Sequence, residues 1–255
     1  MPGNRITETP LNSSPLTTDM LPIIDDPGGT PASQRITVAN LLTLFCTNVV
    51  VQTFTYTGSN ATYTPTSRMK KALCIVQGGG GGGAGGVNTD SAGGGGGGGG
   101  CAIELLSAAT IGANKQVYVG GGGAATTNGQ ASRIGAAGSE LLIGDYGRAG
   151  VAGAAWSSVY IIALGGVGGT GSGGNLNIAG SPGGQGVTWD GTNGMGGPGG
   201  RSFLGGGGLG GVVNTVGSVG RGYGGGGGGG HANTSTDKAG AAGSAGVIYI
   251  IEFLG

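Results

Sequence analysis

Residues 72–86 read ALCIVQGGGGGGAGG, a run of apolar and β-branched side chains followed at once by an almost unbroken glycine tract. The tract recurs at 93–100, 205–208 and 224–230, and glycine makes up 69 of the 255 residues. An ordered glycine gives up more backbone entropy than any other residue and returns no side-chain burial. So glycine-rich a chain is either a flexible linker or a fold in which backbone packs directly on backbone. The apolar segments between the tracts decide against the linker: 72–77 (ALCIVQ), 102–106 (AIELL), 116–119 (QVYV), 159–164 (VYIIAL) and 247–254 (VIYIIEFL) all suit strands. Low hydrophobicity is what keeps disordered chains unfolded, and these segments lack it.

Spacing within the glycine-rich regions points to one backbone form. Gly147, Gly150 and Gly153 recur every third residue, as do Gly240, Gly243 and Gly246; in GMGGPGGR the other positions Met195, Pro198 and Arg201 keep the same period. Polyproline II geometry has about three residues per turn and no internal hydrogen bonds, so its N–H and C=O groups point outward. Where no Cβ intervenes, adjacent helices of this kind can bond to one another. Collagen shares the period but needs a long G-x-y register with abundant proline; nine scattered prolines exclude it. The expected fold is mainly irregular and all-β: a bundle, or sandwich, of polyglycine II helices with short β-strands, preceded by an extended N-terminal segment with one short helix.

Three regions follow. Residues 1–50 carry most of the prolines, a DDPGGTP turn at 25–31, and RITVANLLTLF, where Thr37 is a plausible N-cap and Val38, Leu41, Leu42 and Phe45 share one helical face. This region has too few apolar groups to fold alone and is expected to pack on copies of itself or on a larger body. Residues 51–77 read as a β-hairpin connector turning at GSN, 58–60. Residues 78–255 repeat glycine tract, polar loop and apolar strand, with loops expected at 87–92, 124–130, 145–158, 187–193, 212–219 and 231–238. Loops on a rigid scaffold are where binding residues collect.

Composition removes several function classes. Lys+Arg and Asp+Glu number 11 each, so no basic field exists to neutralise phosphates, and no nucleic-acid partner is expected. The start, MPGNRITETPLNSSP, has no apolar core of a secretory signal. The most apolar long stretch, 36–54, is broken by Asn40, Thr43, Thr47, Asn48 and Gln52, so no membrane insertion is expected. Cys46, Cys74 and Cys101 have no metal-type spacing and read as buried thiols. G-x-G-x-x-G occurs repeatedly, but no helix follows it, and no GK pair supports a P-loop. His231 is the single histidine, too little for a triad or zinc centre. Glu104, Glu140 and Glu252 read as solvent-facing strand positions. No catalytic, metal or cofactor site is expected, and the chain does not read as an enzyme.

Aromatic residues divide in two. Tyr118, Tyr160, Tyr249 and Phe253 lie in strand-like runs and read as core, whereas Trp156, Trp189 and Tyr223 lie in glycine-flanked loops. Rigid aromatics on loops can stack on sugars or grip a partner, or merely cover the bundle edge. Trp189 stands in VTWDGTN beside Asp190 and Asn193 and is the foremost binding candidate.

Residues 16–42, LTTDMLPIIDDPGGTPASQRITVANLL, resemble the N-terminal segments by which phage virion proteins attach an appendage to the particle. Residues 53–86, TFTYTGSNATYTPTSRMKKALCIVQGGGGGGAGG, are similar to the entry of glycine-rich domains of phage tail fibres, as are GGGGCAIELLSAATIGANKQVYVGGGG and the closing GAAGSAGVIYIIEF. That resemblance implies a sandwich of polyglycine II helices like the tail-tip adhesins of T-even-like phages, whose end loops contact outer-membrane proteins or surface glycans. It further implies a homotrimeric virion protein, assembled in the host cytoplasm and held to other virion proteins through residues 1–50, with Ile23, Ile24, Val38, Leu41, Leu42 and Phe45 as anchor. Trp189, Asp190, Asn193, Trp156, Tyr223 and His231 become the candidates for contact with a host surface protein or glycan. Two departures stand out: the chain carries its own attachment segment, and it lacks long aromatic-rich variable loops. A capsid or tail decoration without a dedicated receptor site is the alternative.

Overall fold

The computed structural model describes residues 20–25, 32–37, 49–87, 90–157, 160–233 and 236–255. The chain divides into two compact units, one formed by residues 1–48 with Gly255 and the other by 49–254. In the first, β1 (Met20–Asp25) and β2 (Ala32–Thr37) pair antiparallel, with Met20 opposite Thr37 and Asp25 opposite Ala32. Ile23 and Ile24 fall on β1. The expected helix, with Val38, Leu41, Leu42 and Phe45, lies outside the described residues.

The second unit is mainly β and irregular. Its strands are β3 (Val49–Thr55), β4 (Ala61–Tyr63), β5 (Met69–Gln77), β6 (Ser91–Ala92), β7 (Cys101–Ser107), β8 (Lys115–Tyr118), β9 (Ser132–Ile134) and β10 (Leu142–Gly144). They continue as β11 (Ile161–Ala163), β12 (Gly171–Ser172), β13 (Leu176–Ile178), β14 (Gly186–Thr188) and β15 (Gly194–Met195). The last are β16 (Gly205–Gly206), β17 (Arg221–Gly222), β18 (His231–Ala232) and β19 (Val247–Leu254). Helix among the described residues is one turn, Ala108–Ile111, whose first amides are capped by the Ser107 hydroxyl accepting from Thr110 N at 3.1 Å. Among the described residues no sheet closes into a barrel.

Two five-stranded sheets, β13-β7-β5-β19-β3 and β12-β10-β9-β8-β4, hold the apolar core. Ala72, Cys74 and Val76 of β5 and Ile248 and Ile250 of β19 meet Val117, Ile134 and Leu142 of the second sheet, all essentially inaccessible. Period-two alternation along β5 and β19 makes that face apolar, and sheet-on-sheet packing buries it. Burial pushes the Cys74 thiol up to about 12 and Cys101 up to about 11, so both are inert apolar groups.

Three expectations fail here. The 51–77 hairpin does not form, because β3 bonds to β19 along its whole length, and β4 bonds to β8. β19 inserts between β3 and β5, since VIYIIEFL has far more apolar area to bury than the three-residue ATY strand. Glu252 is not solvent-facing. It is fully buried, accepting from Tyr63 Oη at 2.7 Å, Gln52 Nε2 at 3.0 Å and Thr66 N at 3.2 Å. Tyr160 is not core: it is 59% exposed, while Tyr118, Tyr249 and Phe253 are half-buried.

Beyond the sheets the glycine tracts are bonded backbone to backbone with a period of three. The N–H groups of Gly78, Gly81 and Ala84 donate to the carbonyls of Gly100, Gly97 and Gly94; Gly79 and Gly82 donate to Gln130 and Thr127; Gly80, Gly83 and Gly86 donate to Ser244, Ala241 and Lys238. In 93–100 the same rotation runs to 224–230, to 145–151 and to 181–184. That tract also accepts from 78–84, 166–169 and 197–200, so six segments surround it. Tracts 78–84, 93–100 and 224–230 are buried almost throughout.

Much of what reads as loop at 124–130, 145–158 and 212–219 is therefore part of this body. Arg148 and Val151, or Leu164 and Val167, point outward at every third position while the intervening glycines face the neighbouring chain. Backbone pairing of this kind demands no apolar pattern, only the absence of a Cβ on inward positions.

The loop end of the glycine-rich body

Successive tracts run antiparallel, so the connections between them gather at the end remote from β5 and β19. Gly86 bridges Lys238, Gly93 bridges Ala152, Thr215 bridges His231, and β18 pairs with β6. Trp156 N donates to the carbonyl of Asp90 at 3.1 Å, and Gly191 lies against the Trp156 indole and the Asp90 carboxylate. Segments around residues 90, 156, 190, 215 and 231 thus form one surface. A hollow of about 320 Å³ opens beside it, lined by Val87, Thr126, Ala152 and Lys238 among others.

Trp189 follows β14, and its N–H donates to Asn193 O at 3.1 Å, closing a tight connection to β15. The indole is 48% exposed. Asp190 is committed to that connection: its carboxylate accepts from Thr192 N at 2.9 Å, Asn193 N at 2.7 Å and Asn193 Nδ2 at 2.9 Å. The Asn193 amide, with the neighbouring backbone donors, pulls the carboxyl down to about 2. Asp190 and Asn193 hold Trp189 on a shaped turn, and much of their hydrogen-bonding capacity is spent inside it.

Trp156 is half-buried, close to the same turn. Tyr223 is elsewhere. It precedes tract 224–230 at the sheet end, where its ring meets Tyr249 edge-on at 6.3 Å, so it does not join the tryptophans.

His231 is no surface residue either. It is fully buried, its Nδ1 accepting from Asn214 N at 3.3 Å, with Nε2 against Gly194. Burial lowers its pKa from 6.5, with the Asp90 carboxylate opposing. His231 Nε2, Thr188 Oγ1, Asp90 Oδ1, Asn214 Oδ1 and Asn233 Oδ1 are buried without a hydrogen-bond partner. Among the described residues no three His, Cys, Asp or Glu side chains converge on a point where a metal ion could be held. No helix among them is long and apolar enough to cross a membrane.

Val87, Val212, Val213 and Val216, between 39% and 59% exposed, supply an apolar contribution near this end that the sequence does not announce. Valine in a glycine-rich stretch reads as strand or loop. Only the three-residue rotation of the body shows which valines are turned outward.

Comparison with curated proteins gives no match. A family model described as a glycine-rich domain matches residues 55–251, from the end of β3 to within β19. That span takes in every glycine tract and both sheets apart from most of β3 and the end of β19, and the chain belongs to this glycine-rich domain family.

Proposed function

We propose that the chain is a phage virion protein, a short fibre-like adhesin that binds the host cell surface through the loop end of a polyglycine II bundle. The return of each hydrogen-bonded neighbour at every third residue supports the polyglycine II assignment, since that helix has about three residues per turn. At about 3.1 Å per residue, tract 93–100 spans about 25 Å, a rigid rod-like core with loops displayed beyond it. Residues 1–50 attach the body to other virion proteins, and the assembly is a homotrimer in the virion. No enzymatic step, nucleic acid or membrane insertion enters this reading.

A single observation carries the binding assignment. Trp189 is a large, half-exposed aromatic fixed on a turn that Asp190 and Asn193 close, beside Trp156 and an exposed set of valines. Pre-organised aromatics lose little entropy on binding and are enriched among residues that dominate interfaces. The internal use of Asp190 and Asn193 favours contact through ring faces and backbone over a carboxylate-led site.

Attachment of fluorescently labelled full-length chain to candidate host cells tests the reading. Saturable binding, lost in Trp189→Ala with unchanged Tm, is expected. Binding that persists in Trp189→Ala moves the site away from the loop end, and no binding to any cell that the parent particle infects leaves a capsid or tail decoration.

A further inference from the structure

Where the second sheet meets the glycine body, a groove of about 620 Å³ opens at the turn after β3, far from the tryptophans. Asn60, Tyr118, Asn128, Gln130, Arg133 and Tyr146 line it. Along the wall formed by Gln130 and Asn128 its hydrogen-bonding character is weighted to donors. Gln130 Oε1 accepts from Tyr118 Oη at 2.8 Å and from Gly121 N at 3.2 Å. A backbone N–H can only donate, which fixes the amide orientation and leaves Nε2 as the free end. Asn128 is oriented likewise by Ala149 N, which donates to its Oδ1 at 2.9 Å.

Arg133 extends over the Tyr118 ring, its guanidinium carbon 4.6 Å from the centroid, and its Nε is buried without a hydrogen-bond partner. No carboxylate lines the groove. Glu140, the acidic group whose charge interacts with Arg133, is occupied in its own turn by Gly138 N at 3.0 Å. The walls therefore offer donors from Arg133, Gln130 and Asn128, with their acceptors already used, and two tyrosines supply apolar ring area.

We infer that this groove binds a carboxylate-bearing saccharide. The Arg133 guanidinium and free amide N–H groups complement a carboxylate and the hydroxyl oxygens around it, and tyrosine rings pack on the C–H faces of a sugar ring. Arg133 lines the groove and no acidic residue does, so an anionic ligand there supplies an opposing charge. The volume falls in the range of small-ligand sites, large enough for a short oligosaccharide. This site stands apart from the loop end and does not rest on the adhesin reading.

Isothermal titration of the full-length chain with digalacturonate and, in parallel, with neutral digalactose tests it. Expected is saturable binding of digalacturonate, at least about tenfold tighter than digalactose, as one added charge-assisted hydrogen bond would give. Arg133→Gln should remove that preference, and Arg133→Lys should restore it in part, because lysine keeps the charge without the fork. Asn60→Ala, on an exposed turn with no hydrogen bonds of its own, should weaken binding several-fold with unchanged Tm. No saturable binding at millimolar concentrations, or equal binding of both sugars unaffected by Arg133→Gln, overturns the inference. A chain that binds digalacturonate in solution but attaches to no cell keeps the groove and removes the adhesin.

Discussion

At Gly97 a β-carbon would overlap the Val167 carbonyl, which is backbone and has no rotamer to adopt. Overpacking costs about 1–3 kcal/mol where side chains can yield; against backbone, Gly97→Val should reach about 3 kcal/mol or more in urea unfolding. Gly206 is the contrast, with only Arg221 Cβ at 4.0 Å, so Gly206→Ala should change stability by less than about 0.5 kcal/mol. Glu252 is a different kind of site. Glu252→Ala strips the acceptor from Tyr63 and Thr66, and with about 1–3 kcal/mol for each orphaned donor the loss should reach about 3 kcal/mol in the same assay. His231 brings a pH dependence. Its folded pKa lies below 6.5, so under acidic conditions the unfolded chain binds more protons than the folded one. Stability is therefore full above pH 6.5 and falls as the pH drops below it. Scanning calorimetry at about pH 7.5 and 5.5 should show a lower Tm at the acidic value, with a smaller difference in His231→Gln. Asp190 does not contribute in that window, because its depressed carboxyl stabilises above the ordinary 3.8 and loses its effect only on approaching about pH 2.

Among elements, the strands of high β-propensity were legible from residue type: β5, β7, β8 and β19 fall where apolar β-branched runs predict them. Their partners were not. Val49–Thr55 shows its alternation locally, but its partner β19 is almost 200 residues away, and nothing local in the sequence encodes that pairing. Glu252 misled for a related reason, since alternation assigns it a face and only the packing of Tyr63 shows that face to be covered. In the glycine body the period of three was visible at 147–153 and 240–246. The segments around 127–130 and 215–220 were hidden because their few glycines and polar side chains look like loop. The loop-end site was half legible. Trp189 with its Asp190–Asn193 turn can be picked out by residue type, whereas the burial of His231 and the separation of Tyr223 follow from which end each tract reaches. As β19 supplies the shared neighbour of β3 and β5, a chain ending at residue 246 should lack a cooperative unfolding transition, checked by circular dichroism.

On the scale of the molecule, two apolar-cored sheets close one end of a body whose remainder is held by backbone hydrogen bonds. That division lets residues 49–254 form a unit of their own, and a chain lacking residues 1–48 should melt cooperatively within a few degrees of full length. The same division predicts that loop residues at the far end can be substituted without disturbing the core that positions them. The most direct measurement of this account is amide hydrogen exchange along the full chain, read by mass spectrometry. Ordered, mutually bonded tracts predict that amides in 78–84, 93–100 and 224–230 exchange as slowly as those of β5 and β19, through global opening. Exchange of those tracts within seconds, with β5 and β19 still protected, would mean flexible glycine linkers strung between sheets and would contradict the packed body on which the rest depends.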